Sequence, residues 1–181
     1  GLPGDVPAGV AVVIVTWNAA GLIDGVLAAL ERQTLAALRV LVVDNGSADA
    51  RQLEAVLAAY PRCELLLLAD NLGFAAANNR GIALCDEVEF IALLNPDAYP
   101  EPDWLAELVA AARRYPEAAS FASRLLDHQD PRLLDGTGDV LSLAGKPSRR
   151  GHGMHAAGRF LDADEVFAPC AAAALYRREP L

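Results

Sequence analysis

Four short polar segments stand out in this sequence, because each one directly follows an apolar run. They read Thr16-Trp17-Asn18, Asp44-Asn45-Gly46-Ser47, Asn71-Leu72-Gly73-Phe74 and Asn95-Pro96-Asp97. Their side chains can donate or accept hydrogen bonds, and two of them are carboxylates. Any single segment could be a turn and nothing more, since Asn, Asp, Gly and Ser favour turns. Four in succession predict a polar crevice, because ligands of open parallel sheets bind beyond the carboxyl ends of the strands.

Phosphate binding at such a crevice would need something other than a glycine cradle. After the first apolar run the chain reads Thr-Trp-Asn-Ala-Ala-Gly, residues 16–21, which is neither a dinucleotide-binding Gly-x-Gly-x-x-Gly nor a P-loop. Carboxylate oxygens suit Mg²⁺ or Mn²⁺, and these ions typically bind through one or two carboxylates together with substrate phosphates. Asp97 is therefore the predicted anchor for a Mg²⁺ or Mn²⁺ cofactor.

The elements that must position these segments alternate between strand and helix patterns. Apolar runs predict strands at 10–16, 40–43, 64–68 and 89–94. Leu22, Val26 and Leu30 recur at helical spacing after the first run, and Ser47 is predicted to cap the second helix. This alternation predicts an α/β fold, in which a mostly parallel, Rossmann-like sheet is flanked by helices.

The last third of the chain has a different character. From Ser120 onward, short apolar pieces are broken by Asp, Gly, Pro and Arg, which predicts a loop-rich segment with one or two strands. Residues 165–176 return to a buried strand or the start of a helix, and we expect Arg177 and Arg178 to form a surface pair near a helix start. No internal repeat or low-complexity linker divides the chain, so residues 1–181 are predicted to form a single domain.

Composition excludes some classes of protein. The chain has 181 residues, a formal net charge of -9 and 54% hydrophobic residues. The acidic balance argues against a nucleic-acid partner, and the hydrophobic content lies outside the disordered range. No apolar stretch approaches the roughly 20 residues that span a bilayer. We therefore expect no transmembrane segment and a cytoplasmic location, with peripheral association at the inner face of the membrane left open.

The order of the motifs resembles family 2 glycosyltransferases of the GT-A fold, in their rhamnosyltransferase-like branch. The matching segments are VVIVTWN (12–18), VVDNGSAD (42–49), DNLGFAAANNRGI (70–82), LLNPDAYPEPDWL (93–105), RRGHG (149–153) and CAAAALYRRE (170–179). They cover nearly the whole chain in the family's order. The resemblance implies a nucleotide-binding half at about 1–119 and the start of a sugar and acceptor half at about 120–181.

The resemblance also implies a role for each matching position. Thr16 and Asn18 would line the nucleotide-base pocket with Trp17 packing nearby, and Asp44 would hydrogen-bond the base or the ribose. The residues that would wrap the nucleoside are Asn71, Gly73, Phe74, Ala75 and Asn78. Asp97 would be the last position of the family's Asp-x-Asp metal motif, with Asn95 in place of its first Asp.

The implied activity is metal-dependent transfer of a sugar, with inversion, from a nucleotide-diphosphate sugar to a hydroxyl. The donor would be of the dTDP-rhamnose or UDP-sugar class, and the acceptor a glycan or a lipid-linked glycan of cell-surface polysaccharide synthesis. The family's general base lies in a Glu-Asp pair after the segment matched by 170–179, so we expect it beyond Leu181 and assign no catalytic residue.

Two other functions stay open. One is a non-catalytic nucleotide-sugar-binding module. The other is a sugar-phosphate nucleotidyltransferase, which shares a similar layout but expects a basic, glycine-rich loop after the first strand. Within RRGHG, Arg149, Arg150 and His152 could reach the donor phosphates or the acceptor, or could belong to a solvated loop.

Overall fold

The strands and helices alternate along the first two thirds of the computed structural model, which describes residues 9–142 and 145–181. The first eight residues and residues 143–144 of the predicted domain lie outside that range. The elements, in chain order, are β1 (Val10–Thr16), α1 (Ala20–Glu31), β2 (Arg39–Asp44), α2 (Ala50–Leu57), β3 (Cys63–Leu67), α3 (Phe74–Ile82), β4 (Phe90–Leu94), α4 (Trp104–Arg114), β5 (Ser120–Ala122), β6 (Leu125–Leu126), β7 (Leu134–Gly136), β8 (Asp139–Leu141), β9 (Pro147–Arg149) and β10 (Ala173–Arg177).

Six of these strands form one sheet in the order β3-β2-β1-β4-β10-β5. The first four strands pair in parallel, and β10 runs antiparallel between β4 and β5. The structure thus confirms a mostly parallel α/β sheet flanked by helices. Because β5 and β10 belong to this sheet, its hydrogen bonding crosses the boundary near residue 119. The division into two functional halves stays a prediction.

Helices cover both faces of the sheet. Alternate residues of β1, such as Val12 and Ile14, pack with α1, α2 and α4 on one face. Val13 and its neighbours in register pack against α3 on the other face. Burial of β1 on both sides explains why its sequence is a continuous apolar run rather than an alternating one.

Two predictions about the helices and the C-terminus are wrong. Leu22 does not belong to the buried stripe of α1, since its side chain is 45% exposed, whereas Val26 is fully buried. Arg177 is not near a helix start, because it ends the inner strand β10. Its guanidinium donates to the carbonyl oxygen of Ala112, in the last turn of α4, at 2.6 Å, and to that of Ala118, between α4 and β5, at 2.8 Å. The apolar pattern around residue 173 did not distinguish a strand from a helix start.

The C-terminal third is loop-rich, as predicted, but five short strands, β5 to β9, lie among its described residues before position 165, where one or two were expected. Each has only two or three residues, too few for the alternation that identifies a strand in a sequence. Four of them form two two-stranded sheets, β6 with β7 and β8 with β9. Since β5 runs parallel to β4, the chain leaves β5 at the same edge at which β4 ends, and it returns there to begin β10. No helix among the described residues has the length and hydropathy needed to cross a membrane.

Candidate functional site

The four polar segments lie at one edge of the sheet, because β1 to β4 are parallel and their carboxyl ends coincide. Thr16 is opposite Asp44 in the β1–β2 register, and Asp44 is opposite Leu67 in the β2–β3 register. The loops that follow these strands therefore begin at the same level. This is the edge at which parallel sheets bind ligands.

The loops after β1 and β2 are joined by a reciprocal pair of hydrogen bonds. The Asn18 backbone N–H donates to Ser47 Oγ at 2.9 Å, and the Ala48 N–H donates to Asn18 Oδ1 at 2.8 Å. Asn18 has φ of 51°, a left-handed conformation that Asn tolerates better than most residues. The adjacent Trp17 is left 56% exposed at the rim of the crevice.

These bonds correct the role predicted for Ser47. The N-cap residue of α2 is Asp49, which makes no capping bond to its own helix. Asp49 Oδ2 instead accepts from the Ala20 N–H at 3.0 Å, at the start of α1. The Ser47 and Asp49 side chains thus join loops to one another. The spacing of residues along the chain could not distinguish such a contact from helix capping.

Asn45, which was not among the predicted site residues, joins the loops after β2 and β3. Its side chain is 3% exposed, its Nδ2 donates to Asn71 Oδ1 at 3.0 Å, and its Oδ1 accepts from the Leu72 N–H at 2.9 Å. Asn71 Oδ1 also accepts from the Gly73 N–H at 2.8 Å. The Asp44-Asn45-Gly46-Ser47 motif was the available signal, but it reads equally well as an ordinary turn.

Thr16 and Asp44 leave two buried oxygens without a partner. Both residues are nearly inaccessible, at 1% and 2% exposure. Asp44 Oδ2 accepts from the Ser47 N–H at 3.2 Å, but neither Asp44 Oδ1 nor Thr16 Oγ1 has a hydrogen-bond partner among the described residues. An unsatisfied buried polar group costs about 1–3 kcal/mol, so such atoms in a native protein call for an explanation.

The start of α3 contributes a second wall. Gly73 has φ of 83°, and the space that a side chain would enter there is open. Phe74 is 48% exposed and Ala75 is exposed, whereas Asn78 is buried and its Nδ2 donates to the Phe74 carbonyl oxygen at 2.9 Å. These three residues line a cavity of about 210 Å³ next to Leu93 of β4.

A larger cavity, of about 400 Å³, lies beside the loop after β3, where Asp70 and Leu72 line it. It runs along β3 to the far end of α3, past Leu66, Arg80 and Leu84. Because its walls are mostly apolar and only one of the four polar loops lines it, we place the site where the four loops meet and not in this larger cavity.

Asp97 lies in a tight turn after β4. The Ala98 N–H donates to the Asn95 carbonyl oxygen at 3.1 Å, with Pro96 and Asp97 at the central positions. The Asn95 N–H donates to the Ala172 carbonyl oxygen at 2.8 Å, which fixes the turn to the chain entering β10. Asp97 is exposed, and within residues 9–142 and 145–181 nothing forms a hydrogen bond or ion pair with its carboxylate.

This environment fits a cation that phosphate oxygens help to hold. Among the described residues there is no group of three or more His, Cys, Asp or Glu side chains able to enclose a metal. The Asp97 carboxylate and the Asn95 amide oxygen are instead the one or two protein ligands that Mg²⁺ or Mn²⁺ needs when a diphosphate supplies the others.

The RRGHG segment is held within the C-terminal third. Arg149 Nη1 pairs with the Asp135 carboxylate at 2.7 Å, and Arg150 Nη1 pairs with Asp164 at 2.6 Å. His152 Nδ1 lies 2.8 Å from the Asp135 carbonyl oxygen. Contact of these residues with phosphate stays a prediction, and each guanidinium already has a carboxylate partner.

Several known glycosyltransferases are similar to this chain. The sequence model of the family described as "Glycosyl transferase family 2" matches residues 11–181. An N-acetylglucosaminyl-diphospho-decaprenol L-rhamnosyltransferase of Mycobacterium tuberculosis is 32% identical over 156 residues, covering 80% of this chain and 48% of that protein. A pre-mycofactocin glycosyltransferase of the same organism is 39% identical over 76 residues, covering 42% of this chain and 16% of its own. The chain spans about half the length of the rhamnosyltransferase.

Solved structures show the same fold. A mannosyltransferase from Pyrobaculum calidifontis, in complex with GDP-Man and Mn²⁺, superposes with a TM-score of 0.63 at 21% identity, over 98% of this chain and 48% of its own. Staphylococcus aureus TarS, residues 1–349 in complex with UDP-GlcNAc, superposes with a TM-score of 0.56 at 20% identity, over 65% of this chain and 34% of its own. At these identities the likeness concerns the fold alone.

Proposed function

This chain belongs to glycosyl transferase family 2, and from that premise we propose that its carboxyl-edge crevice binds a nucleotide-diphosphate sugar for transfer to an acceptor hydroxyl. The transfer inverts the anomeric carbon and depends on a divalent cation. The donor we favour is dTDP-rhamnose or a UDP-sugar, and the acceptor is a glycan or lipid-linked glycan. Similarity to a rhamnosyltransferase, together with neighbours that bind UDP-GlcNAc and GDP-Man, supports these choices.

The pair of unpartnered oxygens on Thr16 and Asp44 is the observation that carries the proposal. A pyrimidine N–H or a ribose hydroxyl donates the hydrogen bond that Asp44 Oδ1 lacks, and the Thr16 hydroxyl donates to or accepts from the same ligand. The loops around the pair are already joined to one another through Asn18 and Asn45. Both oxygens are closed to solvent here, so the ligand reaches them only when neighbouring side chains or loops shift.

The start of α3 receives the rest of the nucleoside. Gly73 leaves its surroundings open, so the ligand can approach the backbone closely there. The exposed rings of Trp17 and Phe74 stand at the rim and offer apolar surface to the base.

Asp97, with Asn95, holds the cation at the diphosphate. When bound, the cation neutralises charge that develops on the leaving diphosphate. The acceptor oxygen attacks the anomeric carbon from the face opposite the diphosphate, so the configuration inverts as the sugar gains oxocarbenium character. We assign removal of the acceptor's proton to no residue of this chain.

Ligand-dependent thermal unfolding tests this function with dTDP, UDP and GDP as probes, each with and without Mn²⁺. A probe at a hundredfold excess over its Kd stabilises the folded state by about 2.7 kcal/mol. For a domain of this size, that stabilisation is a rise in Tm of roughly 5–11 °C. We expect one probe to give this rise with Mn²⁺ and a clearly smaller rise without it, and Asp97→Ala to lower the first to the level of the second.

Asp103→Ala is the matched control, since Asp103 is an exposed carboxylate in the same connection and makes no capping bond to α4. We expect it to keep the full metal-dependent rise. Equal stabilisation without metal, or an unchanged response in Asp97→Ala, would show that Asp97 anchors no cation.

A further inference from the structure

The connection between β4 and α4, residues 95–103, carries Asp97 and is attached along its length to α1. Gln33, just after α1, is buried, and its Nε2 donates to the Glu101 carbonyl oxygen at 2.7 Å. Its Oε1 accepts from the Leu105 N–H at 3.0 Å. The Thr34 N–H donates to the Pro102 carbonyl oxygen at 2.7 Å. The far end of the connection is therefore fixed to the end of α1.

Tyr99 makes a second attachment, nearer to Asp97. Its ring lies against α1 where that helix has no side chain, so that a Cβ built on Gly25 would be 2.8 Å from Tyr99 Cε1. The ring also stacks on His128, with ring centroids 5.5 Å apart and an interplanar angle of 30°. His128 belongs to a turn in which Asp127 Oδ1 accepts from the Gln129 and Asp130 N–H groups. Tyr99 thus lies between α1 and the turn at 127–130, with 46% of its surface left exposed.

We infer that Tyr99 is a positioning residue for the cation site, and that Gly25 is the feature of α1 that admits it. This inference rests on the proposed role of Asp97. Asp97, whose carboxylate is exposed, lies two residues before Tyr99. The Asn95–Ala98 turn fixes the backbone around Asp97. A carboxylate on an otherwise free loop must lose rotational and backbone freedom when it binds a cation. The Tyr99 contact removes part of that freedom in advance.

A pair of glycine variants in α1 separates this role from general stability. Gly25→Ala brings a methyl group against the Tyr99 ring, whereas Gly21→Ala, in the same helix, meets nothing within 4 Å. Both replacements favour the helix, because alanine has a higher helix propensity than glycine. We expect Gly25→Ala to weaken Mn²⁺-dependent binding of the nucleoside diphosphate about tenfold, the scale on which residues supporting a metal ligand act.

Gly21→Ala is expected to bind as the wild type does. Tyr99→Ala should repeat the loss seen in Gly25→Ala, and Tyr99→Phe should restore binding because the contact uses the ring and not the hydroxyl. Binding of the same probe in EDTA should be equal in all four variants, because the nucleoside contacts lie on other loops. Titration calorimetry with and without Mn²⁺ measures both affinities.

Hydrogen exchange of the Ala98 amide gives a second readout that needs no ligand. We expect faster exchange in Gly25→Ala and Tyr99→Ala than in Gly21→Ala and Tyr99→Phe. Equal loss of metal-dependent and metal-free binding, or no loss in either variant, would overturn the inference. If the wild type binds no nucleotide with metal, the proposed function fails and Tyr99 has no cation to position. Protected Ala98 exchange would then show that the contact is structural only.

Discussion

Gly46 offers the sharpest test of how closely the loops of the crevice are packed. It lies in the loop after β2 with φ of +74°, and a Cβ there would be 2.7 Å from the Asp70 carbonyl carbon and 2.8 Å from the Asn71 nitrogen. These atoms are backbone, so they cannot move aside as a flexible side chain can. Gly46→Ala must therefore push the loop after β3 away from the loop after β2.

The expected loss of stability has two parts. A left-handed conformation costs a non-glycine residue about 1–2 kcal/mol. Forcing a methyl group into filled space costs typically about 1–3 kcal/mol. Gly46→Ala should therefore lower the free energy of unfolding by about 2–5 kcal/mol. The same movement breaks the hydrogen bonds of the Asn45 side chain with Asn71 and with the Leu72 N–H, so nucleotide binding should weaken as well.

Gly153→Ala measures the cost of the left-handed conformation alone. Gly153 has the same φ, +74°, but a Cβ there would meet nothing within 4 Å. Its replacement should cost only the conformational part, about 1–2 kcal/mol. Urea unfolding of both variants, followed by circular dichroism, gives the two free energies. An equal loss of stability in both variants would mean that the two loops do not approach each other as described. Unchanged nucleotide affinity in Gly46→Ala would mean that the close packing of these loops does not matter for binding.

Two further predictions concern interactions outside the crevice. Arg177→Met removes the donors that hold the end of α4 and the charge that lies 5.5 Å from the centre of the Phe90 ring. Chemical denaturation should therefore show that the free energy of unfolding falls by about 2–4 kcal/mol, and by less in Arg177→Lys. The Tyr60 hydroxyl donates to Asp24 Oδ1 at 2.7 Å, and this hydrogen bond, with burial, raises the pKa of Tyr60 to about 12. Because the unfolded pKa is 10.0, the stability from Tyr60 is present below that pH and is lost as pH rises towards 12. Across this pH range, the free energy of unfolding should fall more steeply for the wild type than for Tyr60→Phe. Parallel curves would show that the Tyr60 hydroxyl is not the group whose pKa is raised by folding.

The first four strands and the four polar loops that follow them could be predicted from local patterns that the fold preserves. Strands buried on both faces must be apolar throughout, so β1 is recognisable as a run of seven residues. The residues after such strands meet at one edge whatever the rest of the chain does, because parallel pairing aligns their ends. For this reason Thr16, Asp44 and Asn71 could be predicted as neighbours, and the structure joins their loops.

Roles that depend on partners distant in sequence could not be predicted. Asn45 and Ser47 have the composition of a turn, and only their contacts with Asn71 and Asn18 show that they hold the crevice together. The place of β10 between β4 and β5 was likewise hidden, because a short apolar segment does not specify which strands it will pair with.

What the sequence determined by itself was the set of groups at the carboxyl edge, since that follows from the length and periodicity of each local segment. Tertiary structure decided what those groups touch. It joined Asn18 to Ser47 and placed Tyr99 over Gly25, 74 positions apart by their numbering. The physical reason is that hydrophobic periodicity acts within one helix or strand, whereas a hydrogen bond or a ring contact between loops exists only when packing of the whole sheet brings two distant segments within a few ångströms.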